Sequence, residues 1–274
     1  MAATRALAWL GWPGPDPPVV SVDAHLSERV SLNAYRSAYP EGVFELDGAT
    51  ALRVPPAPST PMLNRIVGLG LEAPATEEQL DAAIAVMEGL RHYVSVSPHA
   101  RPPELPGWLR ARGFEPGWGW MQFRRGVDDP PAAATSLSVV EIDPQPSRAF
   151  GRIVREAYGL PEAMESIVAS APVRRGWRCW LALSEGEPAA AAGLYVDGEA
   201  GYLGYASTAP EHRGKGAQST LLATRIRRAR ELGCNVLFTE AGKLLPNRPS
   251  VSYRNIARAG FEELYVVPNW LSPA

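Results

Sequence analysis

The sequence predicts an α/β protein with two similar halves, on the basis of three observations. An extended run, a glycine-rich basic loop, a helix and a second strand follow one another between residues 202 and 239. A short strand followed by a helix and the ending Ala-Arg-Gly-Phe-Glu or Arg-Ala-Gly-Phe-Glu occurs at residues 93–118 and again at 236–265. The 274-residue chain is 46% apolar and 20% charged, which is the composition of a globular protein with a substantial core.

The helix predicted over residues 217–232 is amphipathic. Apolar residues recur at the spacing of one helical face at Leu222, Ile226, Ala229 and Leu232. A group of arginines is expected mainly on the opposite, exposed face: Arg225, Arg227, Arg228 and Arg230. Gly233 is typical of a helix end, and the apolar run 235–239 predicts a strand after it.

The loop before this helix has the features of an anion site. The first N–H groups of a helix have no intrahelical partner and lie at the positive end of its dipole. Gly214 and Gly216 leave this backbone uncovered, and Arg213 and Lys215 add positive charge. We therefore expect residues 213–219 to bind a pyrophosphate.

Three known phosphate-binding motifs fit this loop to different degrees. The NTPase loop requires Ser or Thr after its lysine, whereas Gly216 follows Lys215. The dinucleotide fingerprint fits Gly214 and Gly216 but has Ser219 in place of its third glycine, which leaves a nucleotide-dependent oxidoreductase as an alternative. The pattern Arg213-x-x-Gly216-x-Gln218 resembles the acyl-CoA pyrophosphate loop of the GNAT superfamily of acyl-CoA-dependent N-acetyltransferases.

A second segment also resembles this superfamily. Residues 252–261 are similar to the GNAT helix and strand start that usually ends in Tyr-x-x-x-Gly-Phe. Two positions depart from the pattern: Gln218 replaces the last small residue of the loop, and Ile256 stands where many members have the tyrosine that protonates departing CoA. The resemblance covers roughly residues 137–270. It implies that each half is a mixed, mainly antiparallel sheet flanked by helices.

The internal repeat and this resemblance together predict a tandem GNAT protein. Its expected domains are residues 1–131 and 132–274, and the Pro- and Ala-rich segment 126–135 is the natural linker.

The first domain is predicted to be a degenerate copy without a CoA loop. The helix that begins near Thr76 corresponds to the helix after the anion loop, but Thr76 and Gln79 fit a capping box. Glu77 and Glu78 also make its first turn acidic, and carboxylates there take the dipole position that an anion would need.

The resemblance implies a set of acetyl-CoA-binding residues in the second domain. The backbone of the strand before the loop would bind the pantetheine arm, and a backbone N–H there would polarise the thioester. The loop would hold the pyrophosphate, and polar residues of the later helix could bond the arm. These residues are Ala206, Ser207, Thr208, His212, Arg213, Gly214, Lys215, Gly216, Ala217, Gln218, Ser219, Ser252 and Asn255.

Two side chains are candidates for proton transfer. Glu240 ends the strand beside the expected cofactor cleft and could deprotonate the amine, although a solvated carboxylate at a strand end is the alternative. Tyr253 lies one helical turn before Ile256 and could protonate the departing thiolate. A tyrosine packed in the core, with its hydroxyl bonded elsewhere, is the alternative for that position.

The expected function is direct transfer of an acetyl group from acetyl-CoA, as cosubstrate, to the amine of a small molecule without a metal. A non-catalytic acyl-CoA-binding sensor or scaffold remains the alternative because of Ile256.

A formal net charge of −2 without a basic run gives little support to a nucleic-acid partner. Cys179 and Cys234 are predicted to be buried thiols because they lie in apolar runs without metal-ligand spacing.

The sequence also bears on location and assembly. No run approaches the roughly 20 apolar residues that span a bilayer, so no membrane partner is expected. Residues 1–11 have too short an apolar stretch for a typical signal peptide. We expect a cytoplasmic protein that is a monomer or a homodimer.

Overall fold

The computed structural model describes residues 22–133, 135–244 and 250–274. The N-terminal segment used for the signal-peptide expectation lies outside these residues. The chain divides into two compact units. Within the described residues, the first unit comprises residues 22–29, 41–120 and 265–274, and the second comprises residues 30–40 and 121–264 apart from the gaps given above.

Seven α-helices and eleven strands occur in the described ranges. The helices are α1 (Val22–Ala38), α2 (Glu77–Val86), α3 (Leu105–Ala111), α4 (Arg148–Tyr158), α5 (Met164–Ala169), α6 (Ala217–Glu231) and α7 (Val251–Arg258). The strands are β1 (Val43–Leu46), β2 (Ala49–Leu52), β3 (Arg65–Val67), β4 (Tyr93–Ser95), β5 (Glu115–Gly126), β6 (Ser138–Glu141), β7 (Trp177–Ser184), β8 (Glu187–Asp197), β9 (Ala200–Thr208), β10 (Val236–Gly242) and β11 (Glu262–Leu271).

The first unit is a mixed sheet with helices between its later strands. Strands β1, β2 and β3 pair antiparallel, and β3 pairs parallel with β4 through the crossover helix α2. The end of β11 pairs antiparallel with β4, with Trp270 opposite Val94. Apolar side chains of α2, α3 and these strands form one buried cluster, which includes Ile66, Leu80 and Leu109. Burying each such side chain contributes about 1.5–3 kcal/mol relative to exposure.

The second unit repeats this order of elements. Strands β6 to β9 pair antiparallel, and β9 pairs parallel with β10 through the crossover helix α6. Helix α7 and the beginning of β11 follow β10, as α3 and β5 follow β4 in the first unit. In both units the sheet is mixed and mainly antiparallel, as expected. The domain boundary between residues 131 and 132 stays a prediction.

Several local predictions are confirmed. Helix α6 covers residues 217–231, and Gly233 after it has a φ of +86°, a left-handed conformation that suits glycine. Thr76 Oγ1 accepts a 3.2 Å hydrogen bond from the Gln79 N–H, and Gln79 Oε1 accepts a 3.0 Å bond from the Thr76 N–H, which is the predicted capping box. Cys179 and Cys234 are buried free thiols.

One prediction about α6 is wrong. Arg225 was expected on the exposed face but is only 1% exposed. Backbone carbonyls accept the hydrogen bonds that water would accept from an exposed guanidinium. Nε donates to Leu221 O (3.0 Å), and Nη1 donates to Gly193 O (3.1 Å) and Gly204 O (3.2 Å). The helical periodicity did not reveal this burial because two of the three acceptors, Gly193 O and Gly204 O, lie on β8 and β9.

A search of the helices in the described ranges found none that is long and apolar enough to cross a membrane.

Candidate functional site

Strands β9 and β10 stop pairing before either strand ends. Their parallel register runs only to Tyr202 opposite Phe238, although β9 continues to Thr208 and β10 to Gly242. Immediately beyond the last pair, Thr239 Oγ1 donates a 2.8 Å hydrogen bond to Leu203 O. The ends of the two strands therefore have backbone groups that do not serve the ladder between them.

A β-bulge shapes β9 beside this point. Gly193 lies opposite Gly204 and Ala191 opposite Ser207, so one residue of β8 faces Tyr205 and Ala206 of β9. Tyr205 has a φ of +56°, which is uncommon for a residue other than glycine. The carbonyl of Ala206 accepts a 3.3 Å hydrogen bond from the Tyr158 hydroxyl on α4. The predicted arm-binding residues Ala206, Ser207 and Thr208 therefore lie in or just after the bulge.

Arg225 holds the beginning of the bulge. Its two Nη1 contacts join the carbonyls of Gly193 on β8 and Gly204 on β9, directly before Tyr205. Burial lowers the pKa of Arg225 to about 10, which still leaves the guanidinium charged at neutral pH. A buried, positively charged side chain therefore stabilises the backbone at the start of the bulge.

The glycine-rich loop leads directly from β9 into α6. A short turn at Pro210–His212 precedes Gly214, which has a φ of +81°. Gly216 is the N-cap of α6 with a φ of +79°, and no side chain caps this helix end among the described residues. Arg213 and Lys215 are exposed. The first turn of α6 therefore presents backbone donors beside two cationic side chains.

Neighbouring groups fix parts of the loop. Thr135 Oγ1 donates a 2.7 Å hydrogen bond to Lys215 O, and Lys215 Nζ lies 3.2 Å from His212 Nδ1. Ala217 is buried at the first position of the helix, and Ser219 is half-buried in its first turn. All the predicted loop residues therefore belong to one continuous turn and helix start.

Gln218 joins this turn to α7. Its Nε2 donates to Ser252 Oγ (2.8 Å), and its Oε1 accepts from Asn255 Nδ2 (2.8 Å). Ser252 and Asn255 therefore bond Gln218, and their predicted role in bonding the cofactor arm stays a prediction. The unusual residue of the loop therefore has a structural role, because it fixes α7 beside the start of α6.

The first unit differs at the corresponding place. The capping box of Thr76 and Gln79 satisfies the start of α2. The backbone around Arg101 also crosses the loop after β3: Arg101 N–H donates to Gly70 O (2.9 Å), and Ala75 N–H donates to Arg101 O (2.8 Å). A Cβ at Gly70 would lie 2.4 Å from Arg101 O, so the two backbones are in close contact. In the first unit, backbone near Arg101 thus covers the loop between β3 and α2.

Glu240 lies beyond the last pair of β9 and β10, in a polar cluster of the second unit. Its Oε1 accepts a hydrogen bond from the Tyr35 hydroxyl, and its Oε2 accepts one from Gln122 Nε2 (3.1 Å). The Tyr35 hydroxyl oxygen lies 3.1 Å from the Tyr202 hydroxyl oxygen. The carboxylate is therefore half-buried and bonded to side chains of α1 and β5.

Tyr253 lies on the other side of this sheet. It belongs to the buried cluster of Phe123 and Ile256, and its ring makes an edge contact with Phe123 at 4.8 Å between centroids. Burial, together with a hydrogen bond to Glu263, raises the pKa of Tyr253, so its hydroxyl is protonated at neutral pH. The structure therefore does not bring Tyr253 together with Glu240.

Three residues of the Glu240 cluster were not predicted from the sequence. They are Tyr35 of α1, Gln122 of β5 and Tyr202 of β9, and only the folded chain brings them to Glu240. Tyr202 begins the extended run before the glycine-rich loop, but nothing in the sequence marks it as a site residue. In the parts of the chain that the structure describes, no three His, Cys, Asp or Glu side chains form a group that could hold a metal ion.

Comparison with known proteins bears on this site. Residues 150–254 match the model of the acetyltransferase (GNAT) family. A search of curated proteins gave no significant match.

Solved structures resemble most of the chain. A GCN5-related N-acetyltransferase from Kribbella flavida aligns with a TM-score of 0.66 at 15% identity, over 93% of this chain and 97% of its own. One from Sphaerobacter thermophilus aligns with a TM-score of 0.59 at 14% identity, over 82% of this chain and 76% of its own. A tandem GNAT protein from the clavulanic acid biosynthesis pathway aligns with a TM-score of 0.56 at 18% identity, over 82% of this chain and 80% of its own.

At these identities the structural matches establish the shared fold. The chain has the GNAT fold, and its residues 150–254 match the acetyltransferase (GNAT) family.

Proposed function

We propose that the protein is an acyl-CoA-dependent N-acetyltransferase that moves an acetyl group from acetyl-CoA to the amine of a small molecule by direct attack. The observation that carries this proposal is the position of an uncapped, cationic helix start and a hydrogen-bonded carboxylate at the same strand ends, those of β9 and β10. The family match supports the acetyltransferase class.

Donor binding falls to the loop and the bulge. The backbone N–H groups at the start of α6 bind the pyrophosphate, together with Arg213 and Lys215, because several donors and two charges converge there. The backbone of Ala206 to Thr208, which lies beyond the last pair of β9 with β10, bonds the pantetheine arm and polarises the thioester carbonyl. His212, Gly214 and Ser219 complete the phosphate-binding turn.

Proton transfer falls to Glu240 and Tyr253. Glu240 accepts the proton that the amine loses as the new C–N bond forms, and the C–S bond of the thioester then breaks. Tyr253, which is protonated at neutral pH, is the candidate donor to the departing thiolate.

In this proposal the first copy does not bind CoA. We assign the copies to residues 1–131 and 132–274, and the capped start of α2 and the crossing backbone near Arg101 support a first copy without CoA. A cytoplasmic location and a monomeric or homodimeric state remain predictions.

A sensor without turnover is the second candidate function. Ile256 is 4% exposed in the core, at the position where the family pattern usually has its tyrosine, and Tyr253 bonds Glu263. This candidate shares the donor site with the enzyme and differs only in the chemistry.

One assay separates these functions. The purified protein is mixed with acetyl-CoA and a panel of small amines, and free thiol is measured while calorimetry follows binding. Thiol release that depends on the amine supports the enzyme. Binding without thiol release for every amine supports the sensor, and neither binding nor release contradicts both.

A further inference from the structure

Side chains hold three consecutive backbone carbonyls in the bulge of β9, those of residues 204, 205 and 206. The three hydrogen bonds run from Arg225 Nη1 to Gly204 O (3.2 Å), from Ser207 Oγ to Tyr205 O (3.0 Å) and from Tyr158 Oη to Ala206 O (3.3 Å). All of these residues belong to the second unit. Tyr205 and Ala206 lie between the two register pairs of β8 with β9 that flank the bulge. Side chains therefore orient the backbone at this point of the strand.

Each of these hydrogen bonds also sets the direction of an N–H group. A peptide bond is planar and trans, so its N–H points opposite to its carbonyl. The bond from Ser207 Oγ to Tyr205 O therefore sets the direction of the Ala206 N–H. In the same way, the bond from the Tyr158 hydroxyl to Ala206 O sets the direction of the Ser207 N–H. The two hydroxyls thus orient the peptide groups on either side of Ala206.

The backbone at Ala206 is open to an approaching ligand. Strand β9 pairs with β10 only as far as Tyr202, and Ala206 lies beyond that point and is half-exposed. Tyr158 is 42% exposed, and its contact with Ala206 O lies at the surface. The peptide groups that the two hydroxyls orient are therefore in the part of β9 that the proposed function assigns to the pantetheine arm and the thioester.

Tyr158 reaches the bulge from a fixed helix end. It is the last residue of α4, and Gly159 after it has a φ of +63°, a left-handed conformation that ends helices. Earlier in α4, the Phe150 ring makes an edge contact with the Tyr205 ring, with 5.5 Å between the centroids. Both contacts join α4 to the bulge and are made without a ligand. The hydroxyl of Tyr158 is thus in place before the donor binds.

We infer that the Tyr158 and Ser207 hydroxyls orient the backbone N–H groups that polarise the thioester carbonyl. This inference rests on the proposed function and deepens it, because it names the side chains that hold the backbone donors. Negative charge develops on the thioester oxygen as the amine attacks, and N–H groups stabilise that charge best when they are oriented beforehand. The two side chains act through the backbone, so they are positioning residues.

The test uses variants of the full chain that each remove one hydroxyl. Tyr158→Phe and Ser207→Ala are compared with Tyr195→Phe, which changes a half-buried tyrosine of β8 in the same unit. The measurements are kcat with a responsive amine, the Kd of CoA and of acetyl-CoA by calorimetry, and the unfolding midpoint. Infrared spectra of bound acetyl-CoA, labelled with carbon-13 at the thioester carbonyl, report polarisation because a hydrogen bond lowers the carbonyl stretching frequency.

The positioning role predicts a specific pattern. Binding to wild type lowers the carbonyl frequency of acetyl-CoA, and Tyr158→Phe and Ser207→Ala each shift it back towards the value of free acetyl-CoA. Each variant lowers kcat about 10-fold, which is less than the 10²- to 10³-fold cost of losing such a donor outright. The Kd of CoA, which has no acyl carbonyl, changes less than about 2-fold. Tyr195→Phe retains the wild-type frequency and kcat.

Other results overturn the inference. A variant whose carbonyl frequency and kcat equal those of Tyr195→Phe removes that hydroxyl from the positioning role. A Kd of CoA that weakens as much as kcat falls indicates a general loss of the bulge structure instead. If one variant does not fold, the other decides alone.

The same measurements separate this inference from the proposed function. An active wild type that leaves the carbonyl frequency of bound acetyl-CoA unchanged overturns only the inference. A wild type that lowers this frequency but releases no thiol overturns only the proposed turnover, and the infrared spectra of the two variants then decide the inference. A wild type that does not bind acetyl-CoA overturns both.

Discussion

Gln122 Nε2 donates a 3.1 Å hydrogen bond to Glu240 Oε2. Residue 122 falls in the predicted domain 1–131, yet it belongs to the second compact unit, which resumes at Met121. Strand β5 therefore contributes to the carboxylate cluster of the unit that has the anion loop. The same carboxylate accepts from Tyr35, so the candidate base is oriented at both oxygens before any substrate arrives.

Glu240→Gln should lower kcat by about 10²- to 10⁴-fold, because a positioned general base is typically worth that much. The affinity for acetyl-CoA should stay the same, since the proposed phosphate and arm contacts involve other residues. Steady-state kinetics and calorimetry check both quantities, with the exposed Glu187→Gln of the same unit as the control. A wild-type kcat for Glu240→Gln would show that another group accepts the proton.

Arg213→Glu should weaken acetyl-CoA binding by at least about 10-fold. The substitution replaces attraction to the pyrophosphate by repulsion at an exposed helix start, and a charge-assisted hydrogen bond is lost. Calorimetric titration measures the change. Arg152→Glu reverses an exposed charge on α4 and should leave the Kd unchanged. Equal affinities of Arg213→Glu and wild type would remove the loop from the binding site.

Tyr253→Phe should lower kcat about 100-fold and leave acetyl-CoA affinity unchanged, if its hydroxyl protonates the thiolate. Tyr265→Phe is a matched control, because its hydroxyl also contacts a carboxylate, that of Glu28, 3.1 Å away in the first unit. Stopped-flow detection of free thiol reports the chemical step. Unchanged turnover for Tyr253→Phe would leave the residue with a packing role only.

Arg225→Lys should reduce the free energy of unfolding by about 1–3 kcal/mol, since an ammonium cannot reproduce the contacts of the guanidinium with Gly193 O and Gly204 O. Urea denaturation measures this loss. Arg227→Lys, on the exposed face of the same helix, should change the unfolding free energy by less than about 0.5 kcal/mol. Equal stability of the two variants would mean that the buried guanidinium does not hold the bulge.

His92 should make stability depend on pH. Burial lowers the pKa of His92 from 6.5, its Nδ1 lies 2.8 Å from Leu90 O, and its Nε2 is buried with no hydrogen-bond partner among the residues that the structure describes. The folded state therefore binds this proton less readily than the unfolded state. The contribution of His92 is fully present above about pH 6.5 and is lost as the pH falls through the lower folded-state value.

The measurement for His92 is urea denaturation at pH 7.5 and pH 5.5. Wild type should lose more unfolding free energy between these values than His92→Asn, which has no group that titrates in this range. An identical pH dependence of the two proteins would contradict the expected contribution of His92.

The sequence was sufficient for the parts of the site that are local in the chain. The loop at 213–216 and the helix after it depend on glycine positions, helix-end chemistry and apolar periodicity, all of which act over a few residues. The capping box of α2 was predictable for the same reason. The repeated order of elements was visible because both copies retain a similar Gly-Phe-Glu ending.

The remaining parts depend on contacts between distant segments. Tyr35 is 205 residues from Glu240 in the chain, and Gln122 is 118 residues away, so no local pattern marks either one. Arg225 looks like its exposed neighbours until the carbonyls of the β9 bulge are known. Gln218 was expected to be one of the acetyl-CoA-binding residues, and only its partners on α7 show that its side chain also fixes a helix.

We propose that the loop and helix start at residues 213–219 bind the pyrophosphate of CoA. The decisive measurement is isothermal titration of the purified protein with acetyl-CoA, with Arg213→Glu titrated in parallel. Wild type should bind saturably, and the Kd of Arg213→Glu should be at least about 10-fold weaker. If wild type gives no binding heat at millimolar acetyl-CoA, these residues do not bind CoA.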